Sequence, residues 1–120
     1  MAGLSFPKRG EIFLVSFDPT IGSEIRKTRP ALIIQNDVAN EYSPITIVAA
    51  ITSKFGPTLR PTEVLISVGE GGLSQPSVVL LNQIRSIDRS RLIERLGAVE
   101  TRTLKRVGNG LKISFGLIDI

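Results

Sequence analysis

The stretch SVVLLNQIRSI, residues 77–87, is a long run of apolar and β-branched residues, and such a run is typical of β-strands. Asn82 and Gln83 interrupt the run near its middle. The pattern therefore predicts either two short strands or one bent strand. Taken alone, Gln83 has an ordinary structural explanation, because buried amides are usually satisfied by the neighbouring backbone.

Shorter runs of the same kind lie on both sides of this stretch, and polar segments separate them. The sequence predicts strands at residues 11–17, 31–34, 45–51 and 62–68. It predicts loops at residues 20–28, 35–44 (with a helical turn) and 52–61, turns at residues 69–76, and a single helical turn at residues 88–92. Six or seven short strands at this spacing indicate a small barrel or a strongly curled sheet.

Apolar residues in the C-terminal part recur at spacings of three and four, which predicts a final helix. The stripe consists of Leu104, Val107, Leu111, Phe115 and Ile118. Thr101 or Glu100 is expected to cap its start, and Gly108 and Gly110 each weaken it by about 1 kcal/mol relative to alanine. The predicted fold is a single domain over residues 1–120 that is mainly β with a C-terminal helix.

Several predicted strands are apolar on both faces, most clearly residues 12–15, 45–51 and 78–81. A small domain has difficulty in covering two faces of one sheet. We therefore predict a homodimer whose interface covers the additional face.

The composition restricts the chemistry available to the chain. It contains no cysteine and no histidine, and 15 Lys and Arg against 11 Asp and Glu give a net charge of +4. Without histidine, the usual acid–base group near neutral pH, the common nucleophilic triads and most zinc sites are excluded. A basic chain is compatible with nucleic acid, an acidic protein or an anionic membrane. We find no signal-peptide pattern and no membrane span, so we expect a cytoplasmic protein without membrane association.

Three polar clusters interrupt the apolar runs, and each contains side chains able to contact a phosphate or a base. They are Gly22-Ser23-Glu24 leading to Arg29-Pro30, then Thr52-Ser53-Lys54, and then Asn82-Gln83 with Arg85. When each cluster is taken singly, loop solvation, strand termination or a buried amide explains it better than a functional role does, so residue type alone does not identify a site.

The order of these clusters is similar to that of the MazF/PemK family of toxin endoribonucleases. The similar stretches are KRGEIFLVSFDP (8–19), GSE (22–24), TRPALIIQND (28–37), IVAAITS (47–53), PTEV (61–64) and SVVLLNQIRSIDRSRL (77–92). Together they extend from residue 8 to the final helix, and their combination is specific although no single stretch is. The chain departs from the family at Ile25, where Gln is frequent, and at Lys105 and Arg106, where the last helix is often acidic.

The resemblance implies a small SH3-like barrel of the MazF/PemK/CcdB toxin type, assembled as a homodimer with RNA in a groove near the interface. It implies the toxin of a type II toxin–antitoxin system, with an acidic antitoxin as partner. The implied activity is sequence-specific cleavage of single-stranded RNA, such as mRNA, without metal or other cofactor. Attack by the 2′-hydroxyl leaves a 2′,3′-cyclic phosphate and a 5′-hydroxyl.

Carried over residue by residue, the resemblance implies catalytic roles for Arg29 and Thr52. The planar guanidinium of Arg29 suits two phosphate oxygens, and Thr52 is expected to donate a hydrogen bond to the same phosphate. Glu24 is a third candidate, either as the proton acceptor or as a group that positions RNA or Arg29. The implied RNA-binding residues are Ser23, Lys27, Ser53, Lys54 and Gln83, and no residue is expected to bind a metal.

Two other functions are compatible with the sequence. One is a non-enzymatic toxin of the same barrel fold that binds and inhibits a protein target such as DNA gyrase, a function that does not need Arg29 paired with Thr52. The other is an RNA- or DNA-binding module without catalysis. The small number of aromatic residues, five Phe and one Tyr, argues against that module.

Overall fold

The computed structural model describes residues 5–19, 21–24 and 27–120. The strands within these residues are β1 (Glu11–Ser16), β2 (Thr28–Ile33), β3 (Ile45–Thr52), β4 (Glu63–Ile66), β5 (Ser77–Asp88) and β6 (Leu92–Ala98). The helices are α1 (Asp37–Tyr42) and α2 (Thr101–Ser114), and 3₁₀ turns lie at Glu70–Gly72 and Arg89–Arg91. A mainly β chain with a C-terminal helix is therefore confirmed, whereas the single domain over residues 1–120 stays a prediction.

The six strands form one antiparallel sheet in the order β4-β5-β3-β2-β1-β6. The turn Glu70–Gly72, which follows the edge strand β4, packs against the opposite edge strand β6, and this contact curls the sheet into a small barrel. Glycine permits the close approach. A Cβ on Gly97 would lie 2.5 Å from the carbonyl carbon of Gly71, and one on Gly72 would collide with the carbonyl of Leu96.

β5 is one continuous strand, which confirms the bent-strand alternative. Its register against β3 shifts, since Ile51 pairs with Val79 and Ala49 pairs with Ile84. The additional residues of β5 between these pairs form a bulge that contains Asn82 and Gln83. The polar interruption in the sequence therefore marks the place where β5 leaves regular pairing with β3.

The strand β6 is absent from the sequence-based prediction. Its sequence, LIERLGA, contains Glu94 and Arg95, and its side chains are exposed or half-buried because β6 is an edge strand. The apolar alternation that identifies a half-buried strand is therefore missing. The helical turn predicted at residues 88–92 is the 3₁₀ turn Arg89–Arg91, and α1 accounts for the helical turn predicted within residues 35–44.

α2 confirms the predicted final helix but is shorter than its apolar stripe. The helix ends at Ser114, and Gly116, with φ of 73°, follows in the left-handed conformation typical of helix termination. The extension to Ile118 was wrong for this reason. Glu100 holds the N-cap position, yet its side chain makes no capping hydrogen bond. The carboxylate of Glu70 binds this end of α2 instead, accepting hydrogen bonds from the Glu100 amide (3.0 Å) and the Thr103 hydroxyl (2.6 Å).

Gly110 has a packing role that the helix prediction did not include. A Cβ at this position would lie 2.5 Å from Cδ1 of Leu81 in β5. The residue that weakens an isolated helix therefore allows α2 to approach the sheet.

None of the helices among the described residues combines the length and apolar character needed to cross a membrane.

Two apolar cores cover opposite faces of the sheet. In β3, Ala49 and Ile51 belong to the first core, which includes Val107 of α2, while Val48 and Ala50 belong to the second. All five residues are at most 1% exposed within one chain. One chain therefore covers both apolar faces of these strands without a partner molecule. The reason given for a homodimer was wrong, and the homodimer itself stays a prediction.

Candidate active site

Arg29 and Thr52 lie at the same end of the sheet because β2 and β3 are antiparallel. Ala31 pairs with Ala50, so two residues further along the two strands Arg29 stands opposite Thr52. Both side chains are partly exposed, and they line one depression of about 180 Å³. The other lining residues are Pro30, Ile51, Ser53, Leu73, Ser74, Gln75 and Ser77.

The hydroxyl of Thr52 is oriented by the chain that follows it. The backbone amide of Lys54 donates a hydrogen bond to the Thr52 oxygen at 3.1 Å. This contact uses an acceptor site of the hydroxyl and leaves its proton available for donation into the depression.

A polar turn that the sequence did not identify as functional also lines this depression. Ser74 and Gln75 lie there, and the hydroxyl of Ser77 donates to the Gln75 carbonyl at 3.0 Å. In the sequence these residues belong to a turn-rich segment. Nothing local indicates their proximity to Arg29, because the contact depends on β5 starting beside the end of β3, where Val78 pairs with Thr52.

Glu24 and Gln83 meet in a second cleft of about 250 Å³, together with Phe17, Asn82, Ile84 and Arg85. The Glu24 carboxylate accepts a hydrogen bond from the backbone amide of Ile21 at 2.8 Å. The backbone amide of Glu24 donates to the Ile21 carbonyl at 3.2 Å. These contacts hold Glu24 in a local turn. The structure therefore places Glu24 with Gln83, and among the residues described it does not place Glu24 in the lining of the first depression.

The remaining expected RNA-binding residues are exposed. Ser53 lines the first depression, and Lys54 follows it. Lys27 precedes β2 with φ of 64°, and its amide donates to the Asp18 carboxylate at 3.1 Å. Ser23 lies in the turn with Glu24. Thr20, Ile25 and Arg26, which belong to the predicted loop at residues 20–28, lie outside the described residues.

Salt bridges join Arg95 to Glu11 and Arg102 to Glu100, and neither pair lines the two hollows. Hydrogen bonds from the backbone and side chain of Ser90 hold the pKa of Asp88, at the end of β5, below its usual value. The described residues include no group of three or more acidic side chains arranged to hold a metal ion, and a metal-independent site stays a prediction.

The described chain combines a curled antiparallel sheet, a C-terminal helix and a depression shared by Arg29 and Thr52. Residues 8–115 match the family described as PemK-like, MazF-like toxin of type II toxin–antitoxin system, and the chain belongs to this family.

Comparison with individual proteins agrees with this membership. Endoribonuclease MazF of Staphylococcus saprophyticus is 44% identical over 113 residues, which cover 94% of each chain. The crystal structure of MazF from Deinococcus radiodurans has a TM-score of 0.80 at 28% identity, covering 93% of this chain and 98% of that one. A mycobacterial endoribonuclease in complex with its cognate antitoxin has a TM-score of 0.78 at 20% identity, covering 95% and 99%, a likeness that shows the fold.

Proposed function

We propose that this chain is the toxin of a type II toxin–antitoxin system and acts as a sequence-specific, metal-independent endoribonuclease on single-stranded RNA such as mRNA. The observation that carries the proposal is the shared depression of Arg29 and Thr52, brought together from two different strands. The matched family and the endoribonuclease name of a relative 44% identical to this chain support it.

The first depression is the proposed site of bond cleavage. The 2′-hydroxyl oxygen of the RNA forms a bond to the adjacent phosphorus, and the bond from phosphorus to the 5′ oxygen breaks. The 2′-hydroxyl loses its proton and the departing 5′ oxygen gains one. The products are a 2′,3′-cyclic phosphate and a 5′-hydroxyl. Charge that develops on the phosphate oxygens is stabilised by the guanidinium of Arg29 and by the hydroxyl of Thr52.

The second cleft is the proposed place of base recognition. The amide of Gln83 both donates and accepts hydrogen bonds, which suits the edge of an unpaired base. Glu24 shares this cleft, and this location supports its alternative role of positioning RNA over a role as proton acceptor at the first depression. The RNA strand then connects the two hollows, and its sugar–phosphate backbone contacts Ser23, Lys27, Ser53 and Lys54.

The proposed partners follow from charge and from exposed apolar groups. A net charge of +4 favours association with an acidic antitoxin, and the matched family belongs to toxin–antitoxin systems. Apolar residues are exposed at the C-terminus, where Phe115 is 58% and Leu117 70% accessible. This segment supports the proposal of a homodimer, since an oligomer interface would cover it.

We propose that the toxin acts in the cytoplasm, where mRNA is its substrate.

Incubation of the purified protein with a long single-stranded RNA in EDTA tests the proposal. Cleavage is expected, and Arg29→Gln is expected to lower the rate about 100-fold or more, as removal of one transition-state charge contact typically does. Arg102→Gln, on the exposed face of α2, is the matched control and should cleave at the parent rate. Intact RNA with correctly folded protein contradicts the proposal and favours a toxin that inhibits a protein target.

A further inference from the structure

The segment at the end of β1 is held by two arginines through its backbone. Four consecutive carbonyl oxygens, of residues 16 to 19, all accept hydrogen bonds from guanidinium groups. Arg91 donates to Ser16 (3.1 Å) and Asp18 (2.6 Å), and Arg85 donates to Phe17 and, at 3.5 Å, to Pro19. Along the segment, successive carbonyls therefore accept hydrogen bonds from Arg91 and Arg85 in turn.

The two arginines approach this segment from neighbouring parts of the chain. Arg85 belongs to β5, and Arg91 ends the 3₁₀ turn that follows β5. A guanidinium is a rigid fork with five donors. Arg85 uses both of its terminal nitrogens, Nη1 for Phe17 and Nη2 for Pro19, which the single nitrogen of a lysine cannot reproduce. Arg91 uses Nη1 alone for its two acceptors.

The held segment leads into the loop that contributes Glu24 to the second cleft. One wall of that cleft comes from this loop, with Phe17 and Glu24, and the other comes from β5, with Asn82 and Gln83. Arg85 itself lines the cleft. The same guanidinium contacts thus fix the distance between the two walls.

We propose that Arg85 and Arg91 are positioning residues that set this distance and thereby determine the affinity of the second cleft for RNA. This inference rests on the proposed ribonuclease function and on base recognition in the second cleft. Neither residue touches the reacting phosphate, because both act by holding the loop. Their loss therefore affects binding of RNA and leaves the bond-breaking step in the first depression largely intact.

The variants Arg85→Lys and Arg91→Lys keep the charge but remove the fork, and Arg102→Lys makes the same change on the exposed face of α2. For a short RNA substrate we expect KM to rise about tenfold in the first two variants while kcat changes less than about threefold. Affinity for a 2′-O-methyl RNA of the same sequence, which is not cleaved, should fall by the same factor. The Arg102→Lys protein should match the parent in all three measurements.

Hydrogen exchange supplies a readout that does not depend on catalysis. The Phe17 amide donates to the Lys27 carbonyl, and the Lys27 amide donates to Asp18, so both report on closure of the loop. In Arg91→Lys these amides should exchange at least about tenfold faster, while the amide of Ala49 in the core strand β3 keeps its parent rate.

A lower melting temperature with parent values of KM and of 2′-O-methyl RNA affinity overturns the inference, because the arginines then serve only the stability of the fold. That result is distinct from failure of the proposed function, which is shown by a parent protein that leaves RNA intact or by Arg29→Gln cleaving at the parent rate. If the parent does not cleave but the lysine variants still lose affinity for 2′-O-methyl RNA, the positioning role stands and the proposed catalysis does not.

Discussion

The backbone amide of Lys54 donates a hydrogen bond to the hydroxyl oxygen of Thr52, and the two atoms are 3.1 Å apart. The hydroxyl proton is thereby available to a phosphate in the depression shared with Arg29. Replacement of Thr52 by valine keeps the shape and removes the donor. We expect single-turnover cleavage to slow about 10- to 100-fold, the equivalent of one hydrogen bond to a charged group.

Thr52→Ser is the matched control, since it keeps the hydroxyl and loses only a methyl group. It should cleave within about fivefold of the parent rate. Equal rates for the valine variant and the parent would show that the Thr52 hydroxyl does not contact the phosphate in the transition state.

Lys27 precedes β2 with φ of 64°, a conformation that disfavours residues with a Cβ by about 1 kcal/mol. Lys27→Gly and Lys27→Ala remove the same ammonium group, so both should reduce the slope of log affinity against log salt by about 0.7 per lost phosphate contact on single-stranded RNA.

The Lys27→Gly variant should nevertheless be more stable than Lys27→Ala in urea unfolding, by about 1 kcal/mol. If Lys27→Ala is instead more stable than Lys27→Gly, position 27 does not have the strained left-handed conformation.

The contact between the turn Glu70–Gly72 and β6 requires glycine at its centre. A Cβ at Gly97 would meet the backbone of Gly71 at 2.5 Å, and backbone yields less readily than the end of a flexible side chain. We expect Gly97→Ala to lower the free energy of unfolding by about 2 kcal/mol, measured by urea denaturation. Gly56→Ala is the control, because nothing lies within 4 Å of its Cβ position, and it should leave stability unchanged or slightly raised.

Glu70 binds the N-terminal end of α2 from a distant part of the chain. Its carboxylate accepts hydrogen bonds from the Glu100 amide and the Thr103 hydroxyl. Glu70→Ala should lower the free energy of unfolding by about 1–2 kcal/mol, the usual effect of removing a helix cap. Glu94→Ala removes an exposed carboxylate from β6 and should change it by less than about 0.5 kcal/mol. Equal losses in the two variants would contradict the capping role.

Sequence patterns predicted those elements whose physical cause is local. The β-branched run of β3 and the apolar stripe of α2 each reflect burial of a face of the element itself. The interruption at Asn82 and Gln83 indicated a bend, and it coincides with the bulge where β5 shifts its register against β3. The resemblance to a toxin family supplied Arg29 and Thr52, and antiparallel pairing of β2 with β3 brings them to one end of the sheet.

Features that depend on contacts between distant segments were not predictable from one sequence. The edge strand β6 has no apolar face to reveal it, and its presence follows from pairing with β1. Ser74 and Gln75 join the depression only because β5 begins beside the end of β3. The sequence placed Arg85 in a polar cluster and gave no role to Arg91, and the hydrogen bonds of both residues to the end of β1 require the folded chain.

The chemistry of the cleaved ends tests the central claim most directly. RNA cleaved by the purified protein in EDTA should carry a 2′,3′-cyclic phosphate on one fragment and a 5′-hydroxyl on the other. An otherwise identical RNA with a single 2′-deoxynucleotide at the cleaved position should remain intact there. Fragments with a 5′-phosphate and a 3′-hydroxyl, or cleavage at the 2′-deoxynucleotide, would contradict attack by the 2′-hydroxyl at the site of Arg29 and Thr52.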